Sequence, residues 1–228
     1  MALNLPEHAL GFGGAVQKTL LDNARQARPA SYFGVASVDH GGVPSDNLTA
    51  LQTAIDWSAS TGGALVLDHG ITGFDGTLDL KANASIMGWG EHASTLKQLD
   101  SAWADCLVPS HADGNGMNSL HGFTLDGGWD LTNGAGGANW AITRAEMTQI
   151  GVQLSCPSAG QTQARESSPL FPDHRSRISN FRITKVAGRG LVMSGRGENI
   201  INALEVDNIA VDGLYCDAPD NFFSNVSI

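Results

Sequence analysis

The stretch from Ser37 to Gln98 decides the fold of this 228-residue chain. It begins with a loop of turn-forming residues, continues with one helical pattern, and then becomes short apolar runs separated by glycine. This change from a helical to a strand-like period predicts a helix that leads into short strands. In order, the segments read SVDHGGVPSDNLTALQTAID (37–56), GG (62–63), ALVLDHGI (64–71), IMGWG (86–90) and STLKQ (94–98).

The helix has sequence signals at both ends. Ser45 or Asp46 can cap its first turn, and the glycine pair at 62–63 is expected to end it. Its apolar residues fall at positions i, i+3 and i+7, so they share one face. They are Leu48, Leu51 and Ile55. Such a helix buries one face against the body of the protein.

The rest of the chain predicts short strands. Tyr32 to Val38 is a β-type run before the helix, and no helical period recurs after residue 62. Beyond residue 98, strand-like segments lie at 119–127, 149–154, 178–183, 190–193, 202–206, 207–211 and 221–228. Short strands at close spacing, with turn signals between them, indicate an all-β body.

An imperfect repeat distinguishes two all-β architectures. The form Asn-apolar-x-apolar begins at Asn180, Asn208 and Asn225, and the pair Gly-Leu occurs at both 190–191 and 213–214. Periods of about 20 to 30 residues are typical of a solenoid, in which asparagines can stack as ladders at the bends. A jelly-roll sandwich has short strands but no reason to repeat this bend. The repeat therefore favours a solenoid.

The opening stretch resembles the start of pectate-lyase-like β-helix proteins, a family that includes many phage tailspikes. In that family a pattern close to GAxGDGxxDDTxAIQxAID precedes a glycine pair, a VYLPPGTY strand and a LIGxG…STLK strand. Residues 37–98 have these elements in the same order, with Asp46–Asn47 at the acidic pair. The resemblance implies an all-β fold, a right-handed parallel β-helix whose open end is covered by the amphipathic helix.

The resemblance also implies a domain organisation. Residues 1–30 are expected to be an N-terminal virion-anchor segment and linker, and residues 31–228 the β-helix domain. The last residues, NFFSNVSI (221–228), look like the middle of a coil, so we expect the solenoid to continue beyond Ile228. The first residues lack the basic and apolar parts of a secretory signal peptide.

Composition argues against several classes of protein. Charged residues make up 16% and hydrophobic residues 42% of the chain, unlike a disordered or coiled-coil protein. The net charge is -10 and no Lys/Arg cluster is present, so a nucleic-acid partner is not expected. No run of about 18 apolar residues occurs, so membrane insertion is not expected either.

Candidate catalytic residues are carboxylates, because the polysaccharide-cleaving members of this fold act through acidic side chains on the outer face of the coils. A hydrolase needs two carboxyl groups about 5 to 9.5 Å apart. A lyase needs a base, often with a cation such as calcium or an arginine that neutralises the uronate. The candidates are Asp126, Asp130, Glu205, Asp207, Asp212, Asp217 and Asp220. Each is also explained as a solvated strand or turn residue, and the paired aspartates of pectin-hydrolysing relatives are absent.

Other residue types give weaker signals. Four tryptophans are able to stack on sugar rings, although packing is the simpler explanation for each: Trp89, Trp103, Trp129 and Trp140. Three cysteines lack disulfide or zinc spacing and are expected to be buried thiols: Cys106, Cys156 and Cys216. The seven histidines follow no metal-binding motif. No cofactor and no metal site are predicted.

Three functions are compatible with these features. The first is a homotrimeric phage tailspike or tail-fibre protein, which docks on a tail, baseplate or adaptor protein through residues 1–30. It would lie in the virion tail, exposed to the medium, and bind or depolymerise a host surface polysaccharide. The second is a free bacterial polysaccharide lyase or glycoside hydrolase of the same fold. The third is a structural virion protein without catalysis.

Overall fold

A computed structural model describes residues 27–99, 103–109, 117–129, 147–155, 176–194, 199–217 and 221–228. In these ranges the chain forms one α-helix, α1 (Leu48–Thr61), a 3-10 helix at Ala30–Phe33 and fifteen short strands. The strands are β1 (Ala27–Pro29), β2 (Ala64–Val66), β3 (Gly70–Phe74), β4 (Leu78–Asp79), β5 (Ser85–Met87), β6 (Ser94–Gln98), β7 (Leu107–Val108), β8 (Ser119–His121), β9 (Thr124–Asp126), β10 (Gln149–Ser155), β11 (Arg177–Val186), β12 (Gly188–Ser194), β13 (Ile200–Ile209), β14 (Asp212–Asp217) and β15 (Phe222–Ser227). No helix within these ranges is long and apolar enough to cross a membrane.

The strands stack into three faces. The first face has the order β1-β2-β5-β8-β11-β13-β15, and the third has the order β4-β7-β10-β12-β14. The second face contains β3, β6 and β9, followed by the second halves of β11 and β13. All pairings between these named strands are parallel. Parallel neighbours need a crossover connection, so the three faces are the sides of successive coils.

Consecutive coils stay in register although their lengths differ. Arg177 pairs with Ile200, and Ile200 pairs with Phe222, so the last two coils are almost equally long. The coil that follows the helix is similar in length, since Ala64 pairs with Ser85. The middle coils are longer, since Ser119 pairs with Ser85 on one side and with the distant Arg177 on the other. The predicted coil length is therefore confirmed for the first and the last of these coils, while the middle coils contain additional residues.

The two Gly-Leu pairs of the repeat lie one coil apart. Leu191 pairs with Leu214, so Gly190 and Gly213 occupy the same position of consecutive coils. A Cβ atom added to Gly190 would be 2.6 Å from the carbonyl oxygen of Gly213. At this point the coils approach each other too closely for any side chain.

The asparagines of the repeat stand at bends. Asn180, Asn208 and Asn225 all have left-handed backbone conformations, with φ of 47°, 53° and 53°, which asparagine tolerates better than most residues. Asn180 and Asn225 lie at the bend between the first and second faces, and Asn208 lies at the following bend. The repeat is thus a true bend signal, although its three copies mark two different corners.

A separate set of polar residues bonds from coil to coil at the corner before the first face. The Asn118 N–H donates to Ser176 Oγ at 3.2 Å, and the Ser176 N–H donates to Asn199 Oδ1 at 3.1 Å. The Asn199 N–H in turn donates to Asn221 Oδ1 at 3.2 Å. This is the kind of ladder that the sequence predicts, formed by residues that the repeat did not mark.

Alternate strand residues point into the solenoid and form its core. Phe123 and Phe181 pack edge to face with ring centroids 4.6 Å apart, and both are fully buried. The first face contributes one buried residue from each of its middle strands: Leu65, Ile86, Leu120, Ile178 and Ile201. Each such side chain stabilises the stack by about 1.5 to 3 kcal/mol through removal from water.

Helix α1 packs against β2, β3, β4 and β5, which confirms the predicted lid over the first coils. Its buried residues are Leu51, Ala54, Ile55 and Ser58, with Leu48 packed at the edge of the same core. The N-cap residue is Asn47, whose side chain makes no capping hydrogen bond, so the prediction of Ser45 or Asp46 as the cap is wrong in position. Asp46 Oδ1 nevertheless accepts the N–H of Leu48, the first helical residue, at 2.8 Å. The helix ends at Gly62, whose φ is 71°.

Asn47 joins three segments beneath the helix. Its Oδ1 accepts the N–H of Ala36 at 2.8 Å. Its Nδ2 donates to the carbonyl oxygens of Ala36 at 3.1 Å, Ser45 at 2.8 Å and Gly73 at 3.1 Å. The side chain is 7% exposed, so these bonds replace its contacts with water.

The expected strand at Tyr32 to Val38 is wrong. Ala30–Phe33 form a 3-10 helix that ends at Gly34, whose φ is 82°, and Val38 makes only a single bridge. The ring of Phe33 packs on Trp57 of α1, with ring centroids 5.4 Å apart. An aromatic residue that favours a strand in the sequence is used here to hold the lid helix.

The cysteines divide between two environments. Cys106 is buried, as predicted, but Cys216 is exposed. Cys216 pairs in register with the buried Met193. It is exposed because β14 is the terminal strand of the third face in the described part of the chain, so no further described strand covers it. The prediction of a buried thiol is therefore wrong for Cys216, and Cys156 lies outside the described residues.

A helix-capped stack of parallel coils with three faces is a parallel β-helix, which confirms the predicted fold. Crossovers between parallel strands are right-handed in nearly all proteins. The fold is accordingly the right-handed parallel β-helix that the sequence predicts.

Candidate functional site

Three of the predicted carboxylates share the outward surface of the second face. Asp126 on β9 and both Glu205 and Asp207 on β13 flank the central strand β11. The register places Arg182 beside Glu205 in one column and Thr184 between Asp126 and Asp207 in the next. Side chains two residues apart on a strand point to the same side, so these groups form one surface.

Arg182 is held by two of these carboxylates. Its Nη2 and Nε donate to the two Asp207 oxygens at 2.8 and 3.2 Å, and its Nε is 3.4 Å from Glu205 Oε1. Burial alone would raise the pKa of Asp207, but hydrogen bonds from Arg182 and Asn208 hold that pKa below its usual range. The hydrogen bond to Asp207 also raises the pKa of Arg182. Asp207 is thus an ionised partner of Arg182 and a poor proton donor.

Asp126 also has structural partners. It is 8% exposed, its Oδ1 accepts the N–H of Gly128 at 2.9 Å, and its Oδ2 is 3.7 Å from Lys185 Nζ. These contacts close the turn after β9. Among the candidates on this surface, Glu205 is therefore the carboxylate best placed to meet a ligand.

The remaining candidates lie elsewhere. Asp212 and Asp217 are on β14 of the third face, where Asp212 Oδ2 accepts a hydrogen bond from Arg189 Nε at 3.2 Å. Asp130 and Asp220 lie outside the described residues. The described acidic residues after position 204 are thus divided between two faces of the coil.

A groove of about 730 Å³ runs along the bend between the first and second faces. Its walls come from five successive coils, through Gly88 to Glu91, His121 and Gly122, Asn180, Ala203 to Glu205, and finally Asn225 and Ser227. The indole of Trp89 is 71% exposed on this wall. The groove therefore follows the long axis of the stack and includes Glu205.

The backbone around Trp89 is fixed by the neighbouring coil. The N–H groups of Gly88 and Gly90 donate to the carbonyl oxygens of His121 and Gly122 at 2.8 and 2.7 Å. The Trp89 N–H donates to Ser94 Oγ at 3.1 Å. An exposed indole on so well-anchored a segment is a preformed contact surface rather than a loose surface residue.

Several groove residues are absent from the sequence-based candidates. Glu91, His121, Asn180 and Asn225 all line the groove, and His121 Nδ1 shares a hydrogen bond of 2.8 Å with Ser179 Oγ. The sequence signal that could have predicted these groove residues is their position. Each of the four residues stands next to a glycine turn or at a left-handed bend, where the coil changes direction and side chains point outward.

The groove combines groups that suit a hydroxyl-rich ligand. The carboxylates of Glu91 and Glu205 and the amides of Asn180 and Asn225 can bond hydroxyl groups, and the Trp89 indole can stack on a sugar ring. In the described part of the chain, no three His, Cys, Asp or Glu side chains come together to hold a metal ion. The described groove residues can supply hydrogen bonds, stacking and proton transfer.

Comparisons with known proteins support the fold. No protein-family model and no curated protein sequence matches this chain. Among solved structures, it is similar to the A-module of the mannuronan C-5 epimerase AlgE4 from Azotobacter vinelandii, with a TM-score of 0.61 and 19% identity over 87% of this chain and 50% of that one. The A-module of AlgE6 from the same organism gives a TM-score of 0.55 and 16% identity over 83% of this chain and 50% of that one.

A viral protein has a similar structure as well. ORF18 of Geobacillus virus E2 gives a TM-score of 0.53 and 15% identity over 92% of this chain and 44% of that one. The chain thus spans about half the length of these structures. At such low identities the likeness establishes the β-helix fold alone.

Proposed function

We propose that this chain is the β-helix part of a phage tailspike or tail-fibre protein that binds a host surface polysaccharide in the groove. The observation that carries the proposal is the groove itself, which crosses five coils and combines an exposed indole with carboxylate and amide groups. A long open site suits a polymer better than a small molecule. Sugar rings stack on indole faces while their hydroxyl groups bond the polar wall.

The names of two similar structures support this choice of ligand and setting. The AlgE4 module is an epimerase of mannuronan, which is a polysaccharide. ORF18 comes from a virus. A fold found both in a polysaccharide-modifying enzyme and in a viral protein is compatible with a virion protein that meets glycans.

Trp89→Ala is expected to weaken binding to the cognate surface polysaccharide by about tenfold or more, because the stacking platform is removed. The measurement is binding of the purified chain to immobilised capsular or lipopolysaccharide glycans of candidate hosts. The matched control is Tyr32→Ala, which removes an aromatic side chain that is 64% exposed and does not line the groove. Equal binding by wild type and Trp89→Ala would contradict the proposal.

The same incubation separates a hydrolase, a lyase and a binder without catalysis. New reducing ends without new ultraviolet absorbance indicate a hydrolase, and absorbance from an unsaturated uronate indicates a lyase. Binding without either product indicates a receptor-binding protein without catalysis. A chain that binds no glycan would favour the structural virion protein.

We further propose that residues 1–30 anchor a homotrimer to a tail, baseplate or adaptor protein. Ala27–Pro29 pair in parallel with β2, so a deletion that tests the anchor should stop at residue 26. The deletion is expected to abolish incorporation into virions while glycan binding is kept. The measurements are light scattering for the trimer and virion association in infected cells, and unchanged incorporation would contradict the anchor.

A further inference from the structure

We infer that the groove accepts a neutral or amino-bearing glycan rather than a polyuronate, an inference that rests on the proposed function. The acidic side chains on its wall are Glu91 and Glu205. No lysine or arginine is among the described residues that line it, and His121 is the only other ionisable side chain there. A ligand whose repeating units each bear a carboxylate would therefore face carboxylates of the protein.

The nearest cation does not alter this balance. Arg182 lies beside Glu205 in the same column, where its guanidinium bonds both oxygens of Asp207 and lies 3.4 Å from Glu205. The five N–H donors of an arginine lie in one plane, and the bidentate contact to Asp207 fixes that plane. A uronate would have to compete with Asp207 and Glu205 for this charge.

Other cations near the groove also lie beside acidic groups. Lys185 Nζ lies 3.7 Å from Asp126, and Lys97 stands next to Asp126 in the strand register. His92 Nε2 lies 3.6 Å from Glu91 Oε1. Each of these three positive or protonatable groups thus has an acidic neighbour in the protein, with which a uronate would have to compete.

The inference has a chemical consequence. Eliminative cleavage starts by removal of the proton beside a uronate carboxylate, where negative charge then develops. A groove that disfavours uronates is unsuited to that reaction. Glu91 and Glu205 are instead the group types that hydrolysis uses, one to protonate the glycosidic oxygen and one to deprotonate the attacking water.

The test is an array of bacterial surface polysaccharides and uronans, in which each acidic polymer is printed beside its carboxyl-methylated form. Wild type, Trp89→Ala and the double variant Glu91→Gln with Glu205→Gln are compared at low and high salt. For polymers whose binding depends on Trp89, the methylated form is expected to bind about fivefold tighter than the acid form at low salt. The double variant should reduce this preference to less than about twofold, because glutamine keeps the shape and removes the charge.

The outcomes distinguish the two proposals. Trp89-dependent binding that is stronger for the acid form than for the methylated form would overturn the charge inference and leave glycan binding intact. Absence of any Trp89-dependent binding across the array would overturn the proposed function, and the charge inference with it. A preference for methylated or amino-bearing polymers that disappears in the double variant supports both.

Discussion

Gly190→Ala is expected to lower the free energy of unfolding by about 3 kcal/mol. The added methyl group would lie 2.6 Å from the carbonyl oxygen of Gly213 and 3.0 Å from Val206 Cγ1. The first of these neighbours is backbone of β14 in the next coil, so it cannot move without disturbing the pairing of β14 with β12. The loss is measured as a shift of the denaturation midpoint in urea or guanidinium.

Gly41→Ala is the matched control for this substitution. Gly41 has a φ of 97°, and an added Cβ there meets nothing within 4 Å. Alanine at this site should therefore cost only the backbone strain, about 1 kcal/mol. Equal losses in the two variants would mean that the close approach of the coils at Gly190 has no special energetic importance.

Asn47→Asp is expected to cost about 3 to 5 kcal/mol at neutral pH. The amide nitrogen of Asn47 faces three carbonyl oxygens, and a carboxylate in its place would direct negative charge at all three. The site is almost closed to water, so the charge would be neither solvated nor paired. Thermal and chemical unfolding at neutral pH measure the loss.

Acid should reduce the stability loss of Asn47→Asp relative to wild type. Because the folded state disfavours the ionised form, the new carboxyl has a higher pKa in the folded chain than its unfolded value of about 4. The variant is therefore most stable relative to wild type below that unfolded pKa, and loses stability as the pH rises through the folded pKa. The control Asn83→Asp, at an exposed turn, should change stability by less than about 0.5 kcal/mol. A pH-independent loss at Asn47 would argue against the carbonyl contacts as its cause.

Much of the fold could be predicted because the features that specify it are local. The spacing of Leu48, Leu51 and Ile55 is enough to predict the lid helix. The separation of the two Gly-Leu pairs gives the length of one coil. The corner ladder of Asn118, Ser176, Asn199 and Asn221 was predicted in kind but not in position, since it depends on a register that the long, unequal middle coils conceal. The strand expected at residues 32–38 failed because packing against α1 overrode local propensity.

The candidate site was harder to predict for a physical reason. Glu205 could be predicted because a carboxylate is itself a candidate catalytic group. Glu91 and His121 become neighbours only when the coils stack. Outward-facing positions on adjacent coils are far apart in the chain, and nothing in the local sequence indicates which of them share a groove. Asp126 and Asp207 were predicted as catalytic candidates as well, but their contacts to Lys185 and Arg182 indicate a structural role.

The unequal coil lengths suggest how such a protein can change what it recognises. Each coil contacts only the coils above and below it. Extra residues inserted between two strands can therefore extend away from the stack without changing the strand pairing. Ser85, Ser119 and Arg177 stay in one column although the two segments between them differ greatly in length. The paired strands and the connections between them can therefore vary separately, and replacing one connection with another could alter a binding surface without changing the strand pairing.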